Sequence, residues 1–279
     1  MKPGIVTDST CDLPQYIIKE YGIEVVPSIL IVNGREYPDG DGFARDEFYK
    51  RLPQLKAQAT TATPSIGEFA KCYQKLFDEG CDHIISIHAA GALTTIVNTA
   101  RQAAQDYAGR VTVLDSLSLS LGLGFQVLAA AENMEMGLEA ALAAIESTRR
   151  RLKLFAVLDS VEYVRRSGRI PGTMALLGSL LSIKPLVEVS GGQVRAISIV
   201  RTTRQANERM TALLKSAGKL ERLAILHTGA EARARELLNK AMLEVSQSLP
   251  RDILMINATP VIGTHIGPNG LGFAAIRKE

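Results

Sequence analysis

The side chains that could do chemistry in this chain are few and mostly hydroxylic. Ser9 and Thr10 follow the apolar run Gly4 to Thr7, Thr61 lies in the stretch Ala59 to Ser65, Thr94 follows Ala89 to Leu93, and Ser116 comes directly after Val111 to Asp115. One histidine, His265, sits in P-V-I-G-T-H-I-G-P-N-G-L-G (Pro260 to Gly272), with four glycines and two prolines in thirteen residues. Hydroxyls and an imidazole suit the holding of a small anionic head group by hydrogen bonds. They do not by themselves specify bond-breaking, which needs a base within reach of a nucleophile. Glycine lets a backbone approach a ligand closely, and this density of glycine and proline predicts no regular element from Pro260 to Gly272. Taken alone, the stretch reads equally as a binding loop or as a strand connection whose histidine faces water.

Other chemistries lack their residues. There is no G-x-S-x-G elbow, no H-E-x-x-H and no phosphate loop of the form G-x-x-x-x-G-K-[ST]. Gly122-Leu123-Gly124 lacks the third glycine of a dinucleotide fingerprint. His83 and His88, five apart on a strand, point to opposite faces and cannot share a metal. Cys11, Cys72 and Cys81 contain no C-x-x-C, so neither a zinc site nor a disulfide framework is expected. No cofactor or metal is expected, and no catalytic residue is assigned.

The elements that must position these groups are legible as repeated strand, polar turn and helix. Gly4 to Thr7, His83 to His88 and Val111 to Leu114 read as strands, each followed by polar residues and a helix, which predicts a parallel sheet with helices on both faces. Ligand groups in such folds sit beyond the carboxyl ends of the strands. Asn33-Gly34 marks a hairpin, and Ser65 with Glu68 forms a capping box that opens a helix. From Leu154 the pattern changes: Ser190-Gly191-Gly192 joins two antiparallel strands, and Leu223 to His227 and Ile253 to Asn257 are further strands separated by a helix. The expectation is two α/β domains, residues 1–153 and 154–279, the second with antiparallel pairing.

Composition narrows the partners. The chain has 279 residues, 46% hydrophobic, with a net charge of +3 and no tryptophan. That charge gives a polyanion little to bind, and single-strand binders need stacking aromatics. No nucleic-acid partner is expected, and Arg149 to Arg151 with Lys153 read as a solvated helix end. No apolar run reaches the ~18 residues of a membrane span, and the start is unlike a secretory signal. The reading is a soluble cytoplasmic protein without an integral membrane segment.

An ordered set of short motifs resembles the DegV family of bacterial fatty-acid-binding proteins, which includes the carrier subunits of fatty acid kinase. The set comprises I-V-T-D-S-T-C-D-L-P (Ile5 to Pro14), T-A-T-P-S (Thr61 to Ser65), V-L-D-S-L-S-L-S-L-G-L-G (Val113 to Gly124), S-G-R-I (Ser167 to Ile170), K-P-L (Lys184 to Leu186), R-T-T-R (Arg201 to Arg204) and G-T-H-I-G-P (Gly263 to Pro268). Each is unspecific; the series in this order is specific. The resemblance implies a long-chain fatty acid lying between the two domains. Thr61 and His265 would hold its carboxylate, and Thr94 would supply the hydroxyl of the family's L-S-G-T-Y serine. Ser9, Ser116, Gly263 and Thr264 fall in matching segments as further ligand-facing candidates. Arg169 and Arg201 would face the head group where a separate kinase forms the acyl phosphate. Leu176, Leu177, Leu180, Leu181 and Ile183 are candidate tunnel walls. Thr95 stands for a family glycine, as does Asn269. The rival reading is a stand-alone enzyme acting on a carboxylate or acyl phosphate, with His265 as general base.

Overall fold

The computed structural model describes residues 3–40, 42–55, 57–168 and 183–279. Its first sheet is parallel throughout. Strands β1 (Pro3–Asp8), β2 (Glu24–Val26), β6 (His83–His88) and β7 (Val111–Asp115) lie in the order β2-β1-β6-β7. The chain thus leaves β1 to one side and returns on the other, so the sheet has a switch point between the carboxyl ends of β1 and β6. Both faces are covered, which is why β1 and β6 read as continuous apolar runs with little alternation. Val6, Ile84, Phe69 and Tyr73 pack on the side of helices α3 (Ile66–Asp78) and α4 (Ile96–Ala104). Ile5, Ile85 and Ile87 pack on the other side, against α1 (Gln15–Glu20) and α5 (Leu121–Glu132).

A small antiparallel sheet, β4-β3-β5, follows β2 in the chain. It is built from β3 (Ile29–Val32), β4 (Arg35–Pro38) and β5 (Thr60–Ala62), with Asn33 and Gly34 at positive φ in the expected hairpin. Leu30 and Val32 bury against Phe48 and Tyr49 of α2 (Arg45–Arg51). Thr61, in the hydroxyl-rich stretch Ala59 to Ser65, pairs with Leu30 and so belongs to a strand.

The second large sheet has the order β10-β9-β8-β13-β11-β12. Its strands are β8 (Leu152–Val157), β9 (Lys184–Ser190), β10 (Gln193–Val200), β11 (Leu220–His227), β12 (Ile253–Asn257) and β13 (Leu271–Arg277). All neighbours are antiparallel except β11 and β12, which are joined through a helix and run parallel. Helix α6 (Leu138–Arg151) leads into β8, and α7 (Glu162–Arg166) follows it. Helices α8 (Thr203–Ser216) and α9 (Glu231–Val245) cover one face through Met210, Leu214 and Leu237. The opposite face meets α5. Leu121, Leu123, Phe125 and Val127 of that helix share one core with Ile85 and Ile87 of the first sheet and with Leu154, Leu226, Ala274 and Ile276 of the second. A helix between two sheets has no solvent side, which explains why L-G-L-G-F-Q-V-L-A-A-A is buried all round.

Two readings need correction. Pro260–Ile266 forms a helix, α10. Proline at the first helical position lacks only an N–H that would have no helical partner there, and Thr259 caps the end by accepting from Val261 N–H. The positive φ of 80° at Gly267 ends it. Arg149, expected in water, is half-buried and donates to the Asp115 carbonyl at 2.8 Å and to Gln126 Oε1 at 3.3 Å, tying α6 to the end of β7.

Candidate functional site

A cavity of about 490 Å³ opens where the first sheet's switch point faces the second sheet. Thr10 after β1 and Ala89 and Gly91 after β6 form one side, and Leu154, Val187 and Leu226 of the larger sheet form another. The volume lies within the roughly 300–1,000 Å³ typical of small-molecule sites. The position follows from the strand order: side chains beyond the carboxyl ends of β1 and β6 diverge to opposite sides and leave a crevice.

At one edge the cavity carries the hydroxyl and imidazole singled out above. Register fixes Thr61 opposite Leu30, and α10 brings His265 to it, so that Thr61 Oγ1 and His265 Nε2 are 2.9 Å apart across 204 positions of sequence. Thr94 lines the same cavity, just ahead of α4. Its neighbour Thr95 has an ordinary φ of −86°, so no glycine is required, and its hydroxyl meets Thr63 Oγ1 at 2.9 Å. Asn269, the other residue standing for a glycine, adopts φ of 60°, a conformation asparagine tolerates well.

The placement of α10 depends on a polar knot that the sequence reading did not find. Asp12, fully enclosed, accepts from Thr259 N–H at 2.9 Å, Ser120 Oγ at 2.6 Å and Arg45 Nη1 at 2.9 Å. Asp39 accepts from the Thr259 hydroxyl, Tyr49 Oη donates to the Ala258 carbonyl at 2.9 Å, and Arg45 Nη1 also reaches the Asn257 carbonyl. Residues 257–259 are therefore held by the N-terminal quarter of the chain. Gly263 belongs to the same packing: a Cβ there would lie 2.4 Å from Tyr49 Oη. Burial pushes both carboxyls up from the ordinary range, with Arg45 opposing it at Asp12 and the Ser9 and Thr259 hydroxyls opposing it at Asp39.

Asp8 behaves oppositely. Burial would raise its carboxyl, but the His88 ring at 3.1 Å, the Thr10 hydroxyl and the Ala89 N–H hold it below the ordinary range. His88 Nε2 lies 2.6 Å from Ser86 Oγ, which meets Tyr73 Oη at 2.8 Å. Aspartate, histidine and serine are thus aligned, yet all three are sealed at 0% exposure beneath the sheet. No substrate reaches them, and they form a structural chain behind the cavity floor.

Several expected site residues are spent elsewhere. The Ser116 hydroxyl lies inside its own turn, accepting from Ser118 N–H and donating to the Ser118 carbonyl, both at 3.2 Å. Ser9 Oγ accepts from Ser28 N–H at 3.1 Å and pairs with Asp39. Thr264 Oγ1 donates back to the Pro260 carbonyl at 2.9 Å, and Gly263 faces Tyr49. None of these four lines the cavity. Arg201 is exposed just beyond β10, and its backbone N–H donates to Gln205 Oε1 at 3.0 Å. Arg169, Leu176, Leu177, Leu180 and Leu181 lie outside the described residues, and Ile183 is buried. Conversely, Thr10, Ser28, Ser120 and Thr228 line the cavity. Thr10 carried a signal, since it ends the first strand-turn unit; Ser28 carried none.

Among the described residues, no group of three or more His, Cys, Asp or Glu is placed to hold a metal ion, and no helix is long and apolar enough to cross a membrane.

Comparison with known proteins gives one consistent result. The sequence profile of a family described as "Uncharacterised protein, DegV family" matches residues 2–278. A DegV domain-containing protein of Deinococcus radiodurans is 35% identical, over 98% of this chain and 98% of its own length. A solved DegV family protein from Thermus thermophilus, described by its fatty acid binding, is 34% identical over 100% of both chains with a TM-score of 0.92. A DegV lipid-binding protein from Thermotoga maritima is 27% identical over 100% of both chains, with a TM-score of 0.86.

Proposed function

The chain belongs to the DegV family, and on that premise we propose that it binds a long-chain fatty acid in the cavity between its two sheets and presents the carboxylate to a separate kinase. The observation that carries this reading is the Thr61 and His265 pair, 2.9 Å apart at the edge of an otherwise largely apolar cavity. The acyl chain lies among Leu154, Val187, Leu226 and their neighbours, enclosed by domains 1–153 and 154–279. Thr61, Thr94 and His265 hold the carboxylate. The exposed Arg201 faces the incoming phosphoryl group, a role that the planar donors of arginine suit.

Magnitudes divide the labour. Burial of about 0.8 kcal/mol per CH₂ gives a chain of some fourteen methylenes roughly 11 kcal/mol before association costs. Each charge-assisted hydrogen bond adds about 1.5–3 kcal/mol. The walls therefore set affinity, and the clamp sets which end points outward. The chain acts as a carrier without turnover of its own.

Extraction of the purified protein with organic solvent, followed by mass spectrometry, is expected to release a fatty acid. Absence of lipid together with no uptake of added fatty acid would sink the reading. The Thr61 and His265 contact also suits a nucleophile and its base, so the rival is a stand-alone hydrolase or transferase. That reading requires turnover of an acyl phosphate without any partner, abolished by His265→Ala, whereas the carrier shows none.

A further inference from the structure

We propose that Ala156 sets the chain-length limit of the site: the acyl chain crosses the second sheet diagonally, passes over Ala156, and ends beside Leu154 and Val194. The proposal rests on the fatty-acid reading above.

Strand register supplies the path. On the face of the second sheet that meets α5, Leu226, Gly272, Ala156 and Val187 stand side by side in one row across β11, β13, β8 and β9. All four line the cavity. In the next row, Ala224 and Ala274 on β11 and β13 are sealed at 0% exposure, and the cavity is lined instead by Leu154, Val189 and Val194 on β8, β9 and β10. Helix α10, which carries His265, ends just before β13 begins, so the clamp lies at the opposite end, where Thr228 and Gly270 line the cavity. The cavity thus starts over β11 and β13 and drifts to β9 and β10. Rows lie about 7 Å apart along the strands and neighbouring strands about 4.8 Å apart, which puts the far end about 8 Å past Ala156.

That far end is closed. Leu154 packs on α5, where a Cβ on Gly122 would lie 3.0 Å from Leu154 Cδ2. The turn between β9 and β10 is tied to the loop after β7, because Gly192 N–H donates to the Leu117 carbonyl at 2.9 Å.

The two small residues of the middle row have different reasons for their size. A Cβ on Gly272 would lie 2.8 Å from the Phe155 carbonyl oxygen, so the backbone itself demands glycine. Ala156 is free of that demand in the sense that matters to a ligand: it keeps accessible surface and lines the cavity, so a larger side chain would take its room from the acyl chain. Strand propensity favours β-branched residues at such a place, as at Val187 beside it, and disfavours alanine. The small side chain is explained by the passage that it leaves open.

The test is equilibrium titration of straight-chain saturated acids from octanoate to octadecanoate against the wild type, Ala156→Val and Ala156→Leu, with Tm recorded for each protein. Wild-type affinity is expected to rise about fourfold per added methylene until the chain reaches the far end, and then to level off. Ala156→Leu is expected to end that rise about six carbons earlier, since an extended chain advances about 1.2 Å per bond. Ala156→Val, which suits a strand and carries the comparison where leucine does not fold, is expected to move the break in the same direction. An unmoved break point, or an equal loss at every length in Ala156→Val, would overturn the path and leave the fatty-acid reading intact. Failure of the wild type to bind any of these acids would overturn both.

Discussion

At the scale of single residues, the carboxylate clamp makes a quantitative claim. Thr61→Val and His265→Ala each remove one charge-assisted contact, so each is expected to weaken fatty acid binding about ten- to a hundredfold in equilibrium titration. Neither should abolish it, because the acyl chain supplies most of the affinity. Unchanged affinity in both variants would mean that the head group is held by other means. Gly263→Ala tests the packing behind the clamp. Its new methyl meets the Tyr49 ring at 2.4–2.7 Å, and overpacking of that kind costs about 1–3 kcal/mol, measurable by urea unfolding. A neutral result would show that Tyr49 moves freely, contrary to its hydrogen bonds to the Ala258 and Thr259 carbonyls.

Among elements, α5 has the most to lose. It is the helix that both large sheets share, and its glycines are sites of close approach: a Cβ on Gly124 would lie 2.4 Å from the Cys11 carbonyl oxygen. Phe125→Ala is expected to destabilise the chain by about 3–5 kcal/mol, the usual cost of deleting a buried phenyl ring. Because Phe125 belongs to the core shared by both sheets, hydrogen exchange should quicken in β1 and β6 and in β8 and β13 together. Faster exchange confined to one sheet would show that the two fold independently. Helix α10 illustrates the opposite dependence. It is seven residues long with glycine at its centre, poor helical material by propensity, and it stands because Thr259 is fixed on Asp12 and Asp39.

For the whole molecule, the buried carboxyls give stability a pH dependence with two opposing parts. Asp12 and Asp39 are raised, so the folded state holds protons that the unfolded chain releases. Stability then falls as pH rises from the ordinary carboxylate range through their folded values. Asp8 is depressed, so its contribution is present above the ordinary range and is lost as pH falls through its folded value. Asp39→Asn removes one raised group and should make the decline with rising pH shallower in urea unfolding across a pH series. An unchanged slope would show that Asp39 keeps its proton affinity on unfolding. The same knot joins residues 12, 39, 45 and 49 to residues 257–259, and so positions His265 against Thr61.

What the sequence determined by itself was everything set by near neighbours. Apolar runs closed by polar turns specified β1, β6 and β7; Asn33-Gly34 and Gly191-Gly192 specified hairpins; Ser65 specified the start of α3. The ordered motifs identified Thr61 and His265, which do meet. Tertiary structure alone decided which hydroxyls remain available. Ser9 and Ser116 carry hydroxyls like that of Thr61, yet they are consumed by Ser28 N–H, Asp39 and a local turn. Ser28 had no local mark, and its hydroxyl is buried without a hydrogen-bond partner among the described residues. The physical reason is the range of the interactions. Periodicity, caps and turns act over a few residues, whereas satisfaction of a buried polar group depends on partners that only the completed fold brings within hydrogen-bonding distance.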